Sequence, residues 1–241
     1  MKFVGFAAAA LAIFLCTGRA SADVISLDAA TRGYFRNDGA VTSGPDDSYA
    51  VGQDFNIWRD FFVFDTSSFR DVTSATLHLA NPPNIIPPAP PFPGFIDTVH
   101  SSETYSVFSL TAPQSILFDS GSVSPANLAV YNSIPGGTAF GSVTVTVNDL
   151  FVDVVLDAAA IDAINSGSGQ FALAGIIPNL SSNPADEQAD FAFSGIQHGP
   201  DAAQLIVEAT PVPAPSAFLI FGAGLLGVIG FRYRQRSADP V

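Results

Sequence analysis

Thr73-Ser74-Ala75-Thr76-Leu77-His78-Leu79 decides the fold. Ala75, Leu77 and Leu79 fall two apart, with Ser74, Thr76 and His78 between them. A period of two sends alternate side chains to opposite faces, the mark of a strand with one buried side. Gly141-Ser142-Val143-Thr144-Val145-Thr146-Val147 repeats the pattern. Arg59-Asp60-Phe61-Phe62-Val63-Phe64-Asp65 is apolar on both faces and reads as a central strand. Further strands are expected near 23–28, 104–110, 115–119, 151–156, 170–176, 190–194 and 203–209. Pro135-Gly136-Gly137 and Ser166-Gly167-Ser168-Gly169 mark turns between them. One short helix interrupts the series. Asp157 can cap 158–165, Ile161 and Ile164 share a face, and Gly167 follows the end. We find no internal repeat. The pattern predicts an all-β domain, an antiparallel β-sandwich of jelly-roll-like form with one short helix.

Composition agrees with a packed domain. The chain is 48% hydrophobic and 13% charged, the reverse of the balance that keeps a chain disordered. Residues 23–211 are enough for one domain with its own core. That stretch holds 21 acidic residues against four basic ones, Arg32, Arg36, Arg59 and Arg70, and no lysine. Such a surface repels phosphate backbones, so nucleic acid is excluded as a partner. It favours solubility and association with cations. Seven prolines fall between residues 82 and 93, which forbids a central strand, so 81–97 reads as an extended surface loop.

The two ends carry an address. Lys2, an apolar stretch over 3–15 and Ala20-Ser21-Ala22 have the order of a secretory signal peptide spanning 1–22, with signal peptidase cutting between Ala22 and Asp23. The one cysteine, Cys16, would leave with it. No disulfide could then form, and burial alone would hold the domain. At the other end, Val212-Pro213-Ala214-Pro215-Ser216 precedes an uncharged apolar span over 217–231, expected to form a single hydrophobic helix. Arg232, Arg234 and Arg236 follow, and 237–241 close the chain. The span is shorter than the ~20 residues that cross a bilayer comfortably. The arginines suit a cytoplasmic end. Gly222-Ala223-Gly224-Leu225-Leu226-Gly227 spells G-x-G-x-x-G but follows no strand, so a dinucleotide site is rejected.

The tail over 212–236 resembles the PEP-CTERM protein-sorting signal. The resemblance rests on the proline motif, the glycine-rich span and the terminal arginines; Ala214 stands where the usual motif has Glu. It implies transient insertion in the inner membrane and cleavage by an exosortase. Delivery to the surface or extracellular matrix (biofilm) of a Gram-negative bacterium would follow. A second resemblance covers the body. Residues 59–69 with 72–79, then 103–108 and 158–164, are similar to blocks of uncharacterised PEP-CTERM proteins. The first block is also similar to DNRLRE-type β-sandwich modules of secreted bacterial proteins, some of which bind polysaccharide.

Catalytic patterns are missing from the spacing. His78 lies on the polar face of a strand, and His100 and His198 lie in loops. No H-x-x-x-H or H-E-x-x-H occurs, so zinc is not expected and each histidine reads as solvated or singly hydrogen-bonded. No G-x-S-x-G marks a nucleophile. Three glutamates and many aspartates could supply a glycosidase pair, but only their separation decides that chemistry. Clustered oxygen ligands at Asp46-Asp47 and at Asp186, Glu187 and Asp190 make calcium the one cofactor the sequence offers; both clusters also read as solvated loops. Trp58 reads either as core or as a platform for a sugar ring. The expectation is a non-enzymatic surface or matrix protein. A glycan- or calcium-dependent adhesin is the alternative, and a secreted hydrolase the third reading.

Overall fold

The computed structural model describes residues 22–44, 48–81, 94–118, 120–183, 185–191 and 202–211. The signal segment through Ser21, Asp46-Asp47, the proline-rich stretch 82–93, His198 and the sorting tail from Val212 lie outside them. Among the described residues no helix is long and apolar enough to cross a membrane.

The described chain is mostly antiparallel β-structure in two sheets. The smaller has four strands, β1 (Asp23–Asp28), β13 (Ala203–Pro211), β6 (Phe69–Ala80) and β10 (Phe151–Val155), in that spatial order. The larger runs β7 (Ile96–Asp97), β12 (Gln188–Asp190), β4 (Val51–Asp54), β5 (Asn56–Asp65), β11 (Gln170–Ile176), β8 (Ser102–Ser109) and β9 (Ala139–Thr146). Within it β2 (Thr31–Arg36) also pairs β5, and β3 (Val41–Gly44) pairs β2.

One hydrophobic core joins the sheets. Leu77, Leu79, Val152, Val154, Leu205 and Val207 from the small sheet cluster with Phe62, Phe64, Val107, Phe171 and Leu173 from the large one. In β6 the expected alternation holds from Ala75 onward, with Leu77 and Leu79 fully buried. Tyr49 spans the layers; its hydroxyl lies 2.9 Å from the Ala80 carbonyl and 2.5 Å from that of Ala202. The continuous apolar run of β5 has its explanation in a second core. Phe62 and Phe64 face the small sheet, while Phe61 and Val63 pack with Phe35, Leu117, Val130, Tyr131 and Ile134 on the opposite side.

That second core needs helices the sequence reading lacked. Residues 115–119, expected as a strand, contain instead a single helical turn, α1 (Gln114–Leu117). Pro113 starts it, accepting the Ile116 and Leu117 N–H groups, and Leu117 is buried beneath. A second unexpected helix, α2 (Pro125–Ser133), is capped by the Ser124 hydroxyl on Asn127 N, with Pro125 at its first position. Arg59 holds α2 to the sheet: its guanidinium lies 3.9 Å over the Tyr131 ring and donates to the Tyr131 carbonyl at 2.5 Å. The expected helix is α3 (Ala158–Ser166), capped by Asp157 on Ala160 N. It inserts Ala160 and Ile164 into the core between the sheets. The expectation of one helix in the body is therefore corrected to three α-helices among the described residues.

Candidate functional site

Ionisable groups gather inside the large sheet, where apolar packing would be the default. The end of the sheet holding β7 and β12 also receives the start of β8. Gln188 sits directly across from Asp97 in register. A period of two then places Asp190 on the same face of β12 as Gln188, and Tyr105 on the same face of β8 as Glu103. Asp60 of β5 meets Tyr105, whose hydroxyl donates to the carboxylate at 3.0 and 3.1 Å. Asp60, Asp190, Gln188 and Tyr105 are fully buried, and Glu103 nearly so.

The turn from β7 to β8 arranges the outer members. Asp97 Oδ1 accepts the N–H groups of Val99 at 2.6 Å and His100 at 2.7 Å. The opposite oxygen, Oδ2, is buried, has no hydrogen-bond donor among the described residues and lies 3.4 Å from His100 Nδ1. Nδ1 is also 3.2 Å from Glu103 Oε1. Gln188 Nε2 donates to Glu103 Oε1 at 2.7 Å and lies 3.1 Å from Nδ1, while its Oε1 accepts the Ser181 N–H.

Electrostatics follow from burial. Desolvation pushes the Asp60 carboxyl up to about 7, against the hydrogen bonds from Tyr105 and the Gly175 N–H. Burial and then the neighbouring charges of Glu103, Asp60 and Asp97 drive Asp190 well above the ordinary carboxylate range. Burial and the adjacent Asp97 raise Glu103. Burial also works to raise Asp97, but its interactions with the neighbouring Glu103 carboxyl and the N–H groups of His100 and Val99 outweigh that and hold it low. Among the described residues, neither oxygen of Asp190 has a hydrogen-bond partner. A carboxyl group buried in this way is costly unless a proton or a cation neutralises it.

Outside this cluster the chain carries its sorting signal. Residues 211–235 match the PEP-CTERM protein-sorting motif. The PEP-CTERM match takes in Val212 to Ser216, the apolar span, Arg232 and Arg234; Arg236 falls one residue beyond. The motif marks an exported protein processed at the membrane by an exosortase. No curated protein matches the chain.

Among the described residues, the calcium candidates Asp186, Glu187 and Asp190 do not form one group of ligand atoms. Asp46 and Asp47 lie outside the described residues. Asp186 is occupied within its own turn, accepting from Ser181 Oγ at 2.5 Å and Asn183 Nδ2 at 2.7 Å. Glu187 contributes its backbone carbonyl to Thr98 N at 3.0 Å. Asp190 alone joins the interior cluster. Trp58 is half-buried beside Tyr34, ring centroids 6.3 Å apart. His78 pairs with Asp153 at 2.6 Å and stacks on Phe151. His100 stands in an exposed loop, as read from the sequence, but meets two carboxylates there. With Asp97 and Glu103 it forms a group whose ligand atoms all lie within 4.8 Å of one another. The available signal was the D-x-x-H-x-x-E spacing across a turn, which carries little weight until the turn is known to fold back.

Proposed function

We propose that this chain is a surface or extracellular-matrix component of a Gram-negative bacterium, built as a jelly-roll-like β-sandwich and acting without catalysis. The PEP-CTERM match at residues 211–235 carries the reading. Its position supports it further. The last strand, β13, runs to Pro211, between β1 and β6, and the motif follows at once. A cut near Pro213 and Pro215 would release the domain with every strand still paired. Signal peptidase would remove 1–22, and the inner membrane would hold the tail only in transit.

Intact-mass measurement of the surface-released protein, beside a strain lacking its exosortase, tests the reading. The expected product ends near the proline motif in the wild type, and the uncut chain accumulates in the deletion strain. A released protein that still extends through Val241 overturns it.

A second reading, binding of extracellular polysaccharide, has one observation in its favour. Trp58 and Tyr34 lie side by side and partly open, and Phe55, in the nearby β4–β5 turn, is 79% exposed at a positive φ of 53°. A bulky side chain held exposed in a strained backbone conformation suits a contact residue. A glycan array probed with the exported protein should show binding lost on Trp58→Ala; uniform non-binding removes this reading. The hydrolase reading rests on carboxylates alone and has no positioned nucleophile in its favour.

A further inference from the structure

Three acceptor atoms converge where β7 turns into β8: Asp97 Oδ2, His100 Nδ1 and a carboxylate oxygen of Glu103. Nδ1 stands 3.2 Å from Glu103 Oε1 and 3.4 Å from Asp97 Oδ2. Oxygen and nitrogen ligands bound tetrahedrally at about 2.0–2.1 Å sit about 3.3–3.4 Å apart, so these are the separations that a zinc-sized ion imposes on its ligands. The group is held in place before any ion arrives. Two backbone N–H groups fix Asp97 Oδ1 and turn Oδ2 toward the ring. Gln188 Nε2 donates to Glu103 Oε1 at 2.7 Å and lies 3.1 Å from Nδ1, which holds the carboxylate and the ring edge side by side.

An independent observation points the same way. Asp190 follows Gln188 by two residues on the same face of β12, has no exposure, and neither of its oxygens has a hydrogen-bond partner among the described residues. Asp190 thus adds a buried carboxyl group close enough to Glu103 and Asp97 to feel their charge. On the outer side the imidazole is 49% exposed, which leaves a route from solvent.

We propose that Asp97, His100 and Glu103 bind one divalent ion of the Zn2+ or Mn2+ class, with the Asp190 carboxylate behind them. One nitrogen and two oxygen donors select this class over calcium, which takes oxygen alone. The ion would tie β7, a two-residue strand, to β8 in a domain that has no cysteine after Cys16. Of the residues the sequence offers for calcium, it draws on Asp190 alone. It is independent of how the tail is processed.

Calorimetric titration of the EDTA-treated full chain with ZnCl2, MnCl2 and CaCl2 tests the assignment, with Co2+ absorption as a second readout. We expect one Zn2+ or Mn2+ per chain and visible Co2+ bands, both tighter than any Ca2+ binding. His100→Gln and Asp97→Asn should weaken binding at least tenfold, and Gln188→Leu, which removes the support for two ligands, by about 10–100-fold. His78→Gln, which alters only the surface pair with Asp153, should bind as the wild type does. Circular dichroism of each variant separates ligand loss from unfolding. If His100→Gln does not fold, Zn2+-dependent slowing of amide exchange at Val99 and His100 in the wild type supplies the readout. No stoichiometric binding, binding unchanged in folded His100→Gln, or preference for Ca2+ overturns the proposal.

Discussion

Asp60 lies in β5 with no exposure, and its pKa of about 7 gives the protein a built-in pH dependence. A carboxyl raised on folding binds its proton more tightly in the native state. Its stabilising effect is complete below the unfolded value, 3.8, and is lost as pH rises through about 7. Glu103 and Asp190 are raised as well and act in the same direction. Asp60→Asn keeps an acceptor for the Tyr105 hydroxyl but cannot ionise. Thermal melts in EDTA should show the wild type losing stability between about pH 4 and pH 7, and the variant losing less. An unchanged slope in the variant would assign the titration to the other carboxyls. Gly175 belongs to the same constellation. A methyl group there would overlap the Tyr105 ring and the Asp60 carboxylate. Gly175→Ala should therefore cost about 1–3 kcal/mol in urea unfolding, as overpacking of a filled site does.

Between elements, Asn165 at the end of α3 is the clearest latch. Its Oδ1 accepts the Val72 N–H at 2.8 Å and its Nδ2 donates to the Val72 carbonyl at 3.0 Å. It thereby closes the backbone groups of β6 just after Asp71, whose φ of 53° breaks the strand's regular period. Asn165→Ala leaves both Val72 groups unpartnered and should destabilise the domain by about 2 kcal/mol. Ser124→Ala removes the cap of α2 and should cost about 1 kcal/mol; equal unfolding midpoints for variant and wild type would show that the cap contributes nothing. These elements also differ in how readable they were. Asp157 and Gly167 bracket α3 with strong signals. The Ser124-Pro125 start of α2 is as good a signal but was hidden by a weakly amphipathic sequence. Short β2 and β4 carry Gly33 and Gly52, which dilute any strand pattern. The glycines are there because a side chain at either would strike the backbone of the adjoining strand.

For the whole molecule, the centre of the large sheet at β5 and β11 is buried on both faces, by the small sheet on one side and by α1 and α2 on the other. This explains why β5 lacks alternation while β6 keeps it. Among the described residues the core ends with β13, whose last residue is Pro211. Replacing both Pro213 and Pro215 with Ala should block tail removal, read as an intact mass extending through Val241, without shifting the melting temperature of the domain. A lowered melting temperature would mean that the tail region supports the sandwich.

The sequence by itself determined the route of export and the strand character of β5, β6, β10, β11 and β13. Signals of those kinds are local: a motif read by a processing enzyme, and a periodicity set by the backbone. Only the tertiary structure decided the acidic cluster. Asp97, His100 and Glu103 stand three apart in an unremarkable turn, and Gln188, which holds two of them, arrives 85 residues after Glu103. Asp190 looked like one member of a solvated acidic loop until β12 turned it inward. Convergence of that kind depends on which strands become neighbours, and neighbouring strands are chosen by burial of the whole core rather than by any one segment.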